Sequence, residues 1–412
     1  MIPPTVFVTD GHQRPALAIV RSLGRRGIRV LVGEEQAVSL ASVSRYCARH
    51  VTYPSPYRHP EAFGAWLSAF VRREHVDVVI PVSDVTTRRV SQHRAALARD
   101  SAVVVPSVEA FDALSDKWSL LQRAADCGIP IPRTHLVDGI AGLKDVVPRV
   151  DYPAVVKPTR SRILTDRGWV AAGVQYADCE ADLWRLYQDT DYLASHPSLI
   201  QERVVGPGVG TFVLFDHGAL LTAFAHRRLR EKPPSGGVSV LRESIALDPH
   251  LVEQAVRLLA PLGWHGVAML EYKQDHRTGT PFLMEVNARF WGSLQLAVDA
   301  GIDFPYLVYQ LACGHRPVVA PYRVGVRSRW LLGDLDHLLA RVFHRDRDLH
   351  LPAATPSRWR TLRDFLTPGG RDLHHEVIRR DDPRPFGYEL RQYATAVATS
   401  AARHVRRRLA RA

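Results

Sequence analysis

Short apolar runs alternate with segments of helical spacing over residues 1–110, and this alternation limits the fold more than any other feature of the chain. The run TVFVT at residues 5–9 predicts a buried strand, and RPALAIVRSLGRRG after it has the spacing of a helix. Further strands are predicted in IRVLVGE, DVVIPVSD and AVVVPS, with helices in PEAFGAWLSAFVRREHV and RRVSQHRAALARD. Strands that alternate with helices form a parallel, doubly wound sheet. We therefore expect an α/β domain over residues 1–110.

The ligand edge of this predicted sheet carries one polar candidate. The first strand–helix turn, TDGHQRPA, lacks the GxGxxG pattern of dinucleotide-binding proteins. Asp84 ends the strand DVVIPVSD, and ligands of open α/β sheets bind at the carboxyl ends of the strands. Asp84 is therefore a candidate substrate residue, with the capping of the next helix as the alternative.

The pattern changes after residue 110 and predicts an α+β domain over residues 111–315. A short strand, YPAVVKP, is followed by SLIQERVVGPGVGTFVLFDHGALLTAFAHRRL, which reads as three antiparallel strands. The segment HGVAMLEYKQDHRTGTPFLMEVNARF predicts a hairpin around the turn DHRTG. Residues 316–412 form a third region of unassigned role, whose end, YELRQYATAVATSAARHVRRRLARA, predicts a basic helix.

The second strand of this hairpin places polar groups at alternate positions. Glu285, Asn287 and Arg289 share one face of the strand, and Glu271 ends VAMLE on its partner. The intervening residues are apolar: Met284, Val286, Ala288 and Phe290. Two carboxylates and an amide oxygen are hard ligands that suit Mg²⁺. The alternative is a cross-strand salt bridge between a glutamate and Arg289 on a solvated face.

Five segments taken in order resemble the ATP-grasp superfamily: DK, VVKP, IQERVVG, MLE and MEVNARFWGSLQLA. The resemblance covers about residues 1–315. It is strongest to the branch that contains biotin carboxylase and the large subunit of carbamoyl-phosphate synthase, and within it to predicted carboxylate–amine ligases. It implies an ATP-grasp domain of two α+β subdomains, whose antiparallel sheets grip ATP between them.

The resemblance also implies roles for the nucleotide-binding residues. Lys117 and Lys157 match the lysines that hold the ATP phosphates. Glu202, with the backbone of Arg203 and Val204, matches the hinge that holds adenine and ribose. Without the resemblance, lone lysines are ordinarily solvent-exposed, and the segment around Glu202 reads as a plain hairpin.

The metal and catalytic roles follow from the same resemblance. Glu271, Glu285 and Asn287 match the ligands of Mg²⁺, or of Mn²⁺ in its place. Arg289 matches the arginine beside the reacting phosphate and substrate.

Two loops rich in arginine are further candidates. The segment PTRSRILTDRGWVAAGV has few of the glycines that the family carries after its KP lysine. Arg160 and Arg162 could grip phosphate there by side chain, or be exposed loop charges. The segment HRRLREKPPSGGVS, residues 226–239, predicts a mobile loop that closes over an anionic substrate, with a solvated hairpin as the alternative. Its candidate residues are Arg228, Arg230, Gly236 and Gly237.

Composition narrows the location and the partners. The net charge of +12 favours anionic partners without choosing among them. The four cysteines are far apart, which argues against a disulfide or zinc framework and fits a reducing compartment. We expect no signal peptide and no transmembrane segment, and therefore a cytoplasmic protein.

The resulting expectation is an ATP- and Mg²⁺-dependent carboxylate–amine ligase that works through an acyl phosphate. Its expected partners are small-molecule carboxylate and amine substrates, with no nucleic acid. The sequence leaves open whether the protein forms a homodimer. One alternative is bicarbonate activation, as in biotin carboxylation or carbamoyl phosphate formation, although no second ATP-grasp half or biotin-carrier segment is recognisable. The other is an anion-binding protein whose basic tail binds nucleic acid or a membrane surface, although the tail has little aromatic interleaving.

Overall fold

An all-parallel sheet forms the first part of the chain. The computed structural model describes residues 4–160, 162–165, 168–171, 173–352, 355–367 and 370–409. Five strands pair in the order β3-β2-β1-β4-β5: β1 (Thr5–Val8), β2 (Arg29–Glu34), β3 (Arg49–Thr52), β4 (Val78–Ile80) and β5 (Ala102–Val103). The order reverses between β1 and β4, where ligands bind in open α/β sheets.

Helices cover both faces of this parallel sheet. Those within its connections are α1 (Arg14–Gly24), α2 (Pro60–Glu74), α3 (Asp84–Gln92) and α4 (Arg94–Leu97). Phe7 and Leu31 point to one face and pack against α2, while Val6 and Val30 point to the other and pack with α1. The helix predicted in RRVSQHRAALARD begins earlier than expected, at Asp84, and is interrupted at His93.

A four-stranded antiparallel sheet follows, in the order β10-β7-β11-β6. Its strands are β6 (Thr134–Asp138), β7 (Ala154–Pro158), β10 (Gln175–Ala177) and β11 (Pro197–Glu202). A separate hairpin consists of β8 (Arg162–Thr165) and β9 (Gly168–Ala171). The helices here are α5 (Val108–Ser115) and α6 (Lys117–Asp126), which precede the sheet, and α7 (Leu143–Val146), α8 (Glu180–Asp189) and α9 (Asp191–Ser195).

A seven-stranded sheet forms the centre of the molecule, in the order β16-β15-β12-β13-β14-β17-β18. Its strands are β12 (Gly208–Asp216), β13 (Ala219–Lys232), β14 (Val238–Ser244), β15 (Gly266–Gln274), β16 (Pro281–Asn287), β17 (Arg327–Arg329) and β18 (Leu373–His375). The sequence predicted that SLIQE would pair with the strand after it. That was wrong: β11 pairs with β6 and β7, so the glycine-rich segment connects two sheets.

Both faces of the central sheet are covered. Phe212 and Leu214 pack with α1 and with two helices that follow the hairpin, α11 (Leu294–Ala300) and α12 (Phe304–Ala312). Val213 and Phe215 point the other way, toward α5, α6 and α10 (Pro249–Leu259). The last helices are α13 (Leu331–Phe343), α14 (Arg358–Leu366) and α15 (Arg384–Leu409).

Buried ion pairs fix residues 316–399 against the rest of the molecule. Arg21 of α1 is 1% exposed and pairs with Asp382, whose side chain is fully buried, at 2.8 Å. Glu376 accepts from Arg14 and from the fully buried Arg242 at 2.5 Å each. Because a buried charge is costly without a partner, these pairs make the carboxyl-terminal region part of the folded core. The predicted basic helix lies in α15; Arg411 lies outside the described residues.

Across the described ranges, none of the helices combines the length and the apolar character that a bilayer crossing needs.

Candidate active site

The β15–β16 hairpin brings two carboxylates face to face. Glu271 lies directly opposite Glu285 in the strand register, and Met269 lies opposite Asn287. Directly opposed residues of an antiparallel pair project from the same face. A register shift follows Glu271, so Met284 has no directly opposed residue on β15. The sequence predicted that Met284 lies on the covered face, but its side chain is partly exposed.

Two lysines from other elements approach this pair. Lys117 is the first residue of α6, whose N-cap is Asp116, and its Nζ lies 3.4 Å from Oε2 of Glu285. Its backbone N–H donates to the carbonyl of Thr159, which ties α6 to the end of β7. Lys157 lies on β7 and is 7% exposed. Burial and the charge of Lys117 lower the pKa of Lys157 to about 8, against the opposing effect of Glu285 and Glu271.

The two carboxylates differ electrostatically. Burial alone would raise the pKa of Glu285, but Lys117, the Asn287 amide and Lys157 together hold it at about 2. The pKa of Glu271 is raised because burial and the charge of Glu285 outweigh the effect of Arg228. Two adjacent, partly buried carboxylates are stabilised by added positive charge, which a bound cation supplies.

Arg289 connects the hairpin to the parallel sheet. Its Nε lies 3.1 Å from Oδ1 of Asp84, and its Nη1 and Nη2 donate to the carbonyl of Phe290 and to Oδ1 of Asn287. Asp84 is the first residue of α3, but Ser83 is the N-cap, so the capping alternative for Asp84 was wrong. The partner of Arg289 is thus the half-exposed Asp84 at the carboxyl edge of the parallel sheet.

The segment of residues 226–239 forms paired strands with a short tip. Arg228 is 9% exposed, and its guanidinium pairs with Glu271 at 2.5 Å and with Glu231 at 2.9 Å. Arg230 points elsewhere: its Nε and Nη2 each donate at 2.6 Å to Asp334, whose side chain is fully buried. Arg228 is therefore beside the carboxylate pair, whereas Arg230 anchors α13.

The tip of this hairpin touches the four-stranded sheet. Tyr176 of β10 donates its hydroxyl hydrogen to the carbonyl of Ser235 at 2.9 Å. Gly236 has φ +137°, a backbone conformation that side chains rarely adopt, and a Cβ on Gly237 would lie 2.5 Å from the carbonyl oxygen of Lys232. Both glycines are thus required by the turn itself.

The predicted hinge lies at the end of β11. The backbone N–H of Arg133 donates to the carboxylate of Glu202 at 2.9 Å, which fixes Glu202 against β6. Arg203 donates to the carbonyl of His350, and its guanidinium lies 4.9 Å from the ring centroid of Tyr176. Val204 is partly buried beside them.

The arginine-rich loop after β7 is described only in part. Arg160 is exposed, with its Nε 3.8 Å from Asp116. The side chain of Arg162 lies outside the described residues.

Sequence reasoning missed several residues of this region. Glu231 pairs with Arg228 and lies 3.3 Å from Nζ of Lys273. Glu271 and Lys273 are two residues apart on a strand, and this spacing could have indicated that Lys273 lies on the same face of the sheet as Glu271. His350, whose ring stacks on Tyr176 with centroids 5.1 Å apart, carried no local signal because it comes from a distant, irregular segment.

Comparisons with known proteins point to one fold. Residues 195–333 match the model of a family described as ATP-grasp in the biosynthetic pathway with Ter operon. A biotin carboxylase from Campylobacter jejuni, solved with β,γ-ATP, is similar with a TM-score of 0.61 and 16% identity, over 78% of this chain and 74% of the other. No curated protein matches the chain.

Two other solved structures are similar over most of their lengths. An L-amino acid ligase from Bacillus licheniformis aligns with a TM-score of 0.58 and 19% identity, over 75% of this chain and 74% of the ligase. An N5-carboxyaminoimidazole ribonucleotide synthetase from Thermus thermophilus aligns with a TM-score of 0.58 and 17% identity, over 78% of this chain and 81% of the synthetase.

Proposed function

We propose that this chain is an ATP-grasp enzyme, as its sequence predicted, and that it is an ATP- and Mg²⁺-dependent ligase that joins a carboxylate to an amine; the match of residues 195–333 to an ATP-grasp family model supports this. The observation that carries the proposal is the convergence of Lys117 and Lys157, from two separate elements, on the opposed carboxylates Glu271 and Glu285. Cations and anions gathered in one cleft fit a ligand that is itself anionic and metal-bound, as a nucleoside triphosphate is.

The donor set fits a hard divalent cation. Glu271 and Glu285 offer carboxylate oxygens from adjacent strands, and each also pairs with a cationic side chain, Arg228 and Lys117 respectively. Asn287 donates from Nδ2 to Glu285 at 3.1 Å and accepts from Arg289 at Oδ1, so its oxygen would reach the ion by turning away from Arg289. These three residues would hold Mg²⁺, which supplies positive charge to the phosphates when bound.

The nucleotide would be held by the cations and by the hinge. Lys117 and Lys157 would bind phosphate oxygens. The ammonium group of Lys117 now pairs with Glu285, and a bound phosphate would become its second anionic partner. Glu202 and the backbone of Arg203 and Val204 hold the adenine and ribose. The hinge is fixed by the contact of Glu202 with Arg133, so it meets the nucleotide with little loss of conformational freedom.

The chemistry proceeds in two displacements. An oxygen of the substrate carboxylate attacks the γ-phosphorus, the bond to the bridging oxygen breaks, and ADP leaves from an acyl phosphate. The amine nitrogen then attacks the acyl carbon, the bond to the phosphate oxygen breaks, and an amide and inorganic phosphate form as the nitrogen loses its proton. Arg289 is placed to stabilise charge on the transferring group, and Asp84 fixes its orientation.

A phosphate-release screen tests the proposal. The protein is incubated with ATP, Mg²⁺ and pools of amino acids, and we expect ADP and phosphate only when a suitable carboxylate and amine are both present. With an ¹⁸O-labelled carboxylate, one labelled oxygen should appear in the released phosphate. Release of AMP and pyrophosphate would contradict the proposal, and turnover that needs bicarbonate alone would favour carboxylation.

A pair of lysine variants controls the screen. Lys157→Met should abolish ADP formation because it removes a buried phosphate-binding cation. Lys144→Met changes an exposed lysine of α7 and should leave the activity unchanged.

A further inference from the structure

A second group of ligand-type side chains lies far from the nucleotide site. Asp216 is the last residue of β12, His217 occupies the turn to β13, and His265 immediately precedes β15. One carboxylate oxygen and one nitrogen from each imidazole lie within 4.8 Å of one another. His265 lies six residues before Glu271, and the extended backbone between them separates the group from the carboxylate pair by about 20 Å.

The backbone brings the two segments together independently of any ion. The N–H of Gly218 donates to the carbonyl of Trp264 at 2.8 Å, so the β12–β13 turn is fixed beside the start of β15. Phe215 pairs with Gly266 one residue away on each strand. His217 and Gly218 have φ of +44° and +90°, and this tight turn directs the His217 side chain beside His265.

One of these groups is buried and faces the carboxylate. The His265 side chain is 9% exposed, and its Nδ1 lies 3.2 Å from Oδ1 of Asp216. A cation bound between an imidazole nitrogen and a carboxylate oxygen takes a lone pair from each, so this buried pair supplies two ligand atoms that already converge.

We propose that Asp216, His217 and His265 bind a divalent transition-metal ion of the zinc class. Two imidazole nitrogens and one carboxylate oxygen suit Zn²⁺, whereas Mg²⁺ and Ca²⁺ prefer sets of oxygen ligands. When a four-coordinate zinc has ligands at 2.0–2.1 Å, its ligand atoms lie about 3.4 Å from one another. Here Oδ1 of Asp216 lies 3.2 Å from Nδ1 of His265 and 3.9 Å from Nε2 of His217. Water takes the fourth position.

Binding requires one local rearrangement. The two imidazole rings are stacked, with centroids 4.1 Å apart and planes 12° from parallel, and an ion cannot lie in both planes at once. His217 is 64% exposed, so its ring turns at little cost while His265 stays fixed. The bound ion then joins the β12–β13 turn to the start of β15, which stabilises the central sheet without contact with the nucleotide site.

A titration of the full-length, chelator-treated protein with Co²⁺ tests the proposal in the absence of nucleotide and Mg²⁺. We expect one equivalent to give visible absorption bands of a four-coordinate nitrogen and oxygen site, without the near-ultraviolet bands of a cysteine ligand. Zn²⁺ should displace the Co²⁺ and raise the Tm. His217→Gln and Asp216→Asn should each lower the affinity at least about tenfold, the scale produced by the loss of even a supporting contact at zinc sites.

A control variant makes the test decisive. His315→Gln changes an exposed histidine elsewhere and should bind as wild type does. Wild-type affinity in both His217→Gln and Asp216→Asn, or no binding at micromolar Co²⁺ and Zn²⁺, would overturn the proposal. Because the readout is binding and not turnover, its failure would leave the proposed ligase activity untouched.

Discussion

Arg289→Lys is expected to reduce kcat while leaving nucleotide binding nearly intact. The guanidinium uses three nitrogens for three partners in three directions: Nε for Asp84, Nη1 for the carbonyl of Phe290 and Nη2 for Asn287. A lysine keeps the positive charge but replaces the planar fork with a single ammonium on a flexible stem. The variant therefore separates the charge of Arg289 from its geometry.

The contacts set the size of two separate effects. An ammonium at this position can satisfy one of the three partners, so two hydrogen bonds are lost, at about 1 kcal/mol of folding stability each. A fixed donor aimed at developing charge contributes more in the transition state, and we expect kcat to fall about a hundredfold, or about 2.7 kcal/mol. The Kd for a non-hydrolysable ATP analogue should change less than about threefold, because Lys117, Lys157 and the metal bind the nucleotide in the ground state.

The assay measures kcat by ADP release and Kd by calorimetry, each beside a matched variant. Arg329 is also a buried arginine with two directed contacts, at 2.6 Å to Asp334 and 3.1 Å to the carbonyl of Phe365, but it lies outside the site. Arg329→Lys should lose one hydrogen bond, about 1 kcal/mol of folding stability, and keep its kcat.

Three results would refute this reasoning. A Kd that weakens as much as kcat falls would make Arg289 a ground-state ligand. An equal loss of kcat in Arg329→Lys would assign the effect to lost stability. No change in either quantity would reduce Arg289 to a structural partner of Asp84.

Three other predictions test the site and the carboxyl-terminal region. A non-hydrolysable ATP analogue should raise the Tm only when Mg²⁺ is present, increasingly with concentration, and Lys157→Met should abolish the shift. Asp382→Asn should lower the free energy of unfolding by about 3–5 kcal/mol in denaturant titrations, because it leaves Arg21 buried without its anion. The control is Asp381→Asn, which affects the exposed pair with Arg25 and should lower the free energy of unfolding by about 1 kcal/mol or less. Deletion of residues 403–412 should leave ADP formation unchanged, since Glu389 and Tyr393, which bond α15 to Trp330 and Asp336, precede the deleted segment. A large loss of turnover with the fold preserved would place that end in the site.

Local patterns were sufficient for much of this architecture. Period-two and helical spacing predicted the parallel sheet of residues 1–110, and the fold class is confirmed. The match of residues 195–333 to an ATP-grasp family model agrees with the predicted resemblance. The hairpin turn between β15 and β16 predicted the approach of Glu271 to Glu285, because a short turn fixes which residues oppose each other. The roles of these residues remain predictions until the variants are measured, and so do the domain boundaries.

Features that depend on distant segments were not predictable in the same way. The partner of Asp84 is Arg289, and the anion for Arg21 comes 361 residues later in the chain, so neither pair has a sequence spacing that marks it. Strand β11 has an ordinary apolar pattern that suits either neighbouring sheet, and only packing of the whole domain selects β6 and β7. The bulge at Met284 likewise depends on the partner strand.

The pairing of Arg21 with Asp382 has a consequence for the order of events during synthesis. The parallel sheet precedes this partner in the chain: α1 carries a fully desolvated guanidinium whose carboxylate is translated 361 residues later. Until Asp382 emerges, docking of α1 in its final position would bury an unmatched charge, which is strongly unfavourable. The amino-terminal domain should therefore remain loosely assembled on the ribosome while later segments are made, and chains that terminate early should be readily degraded.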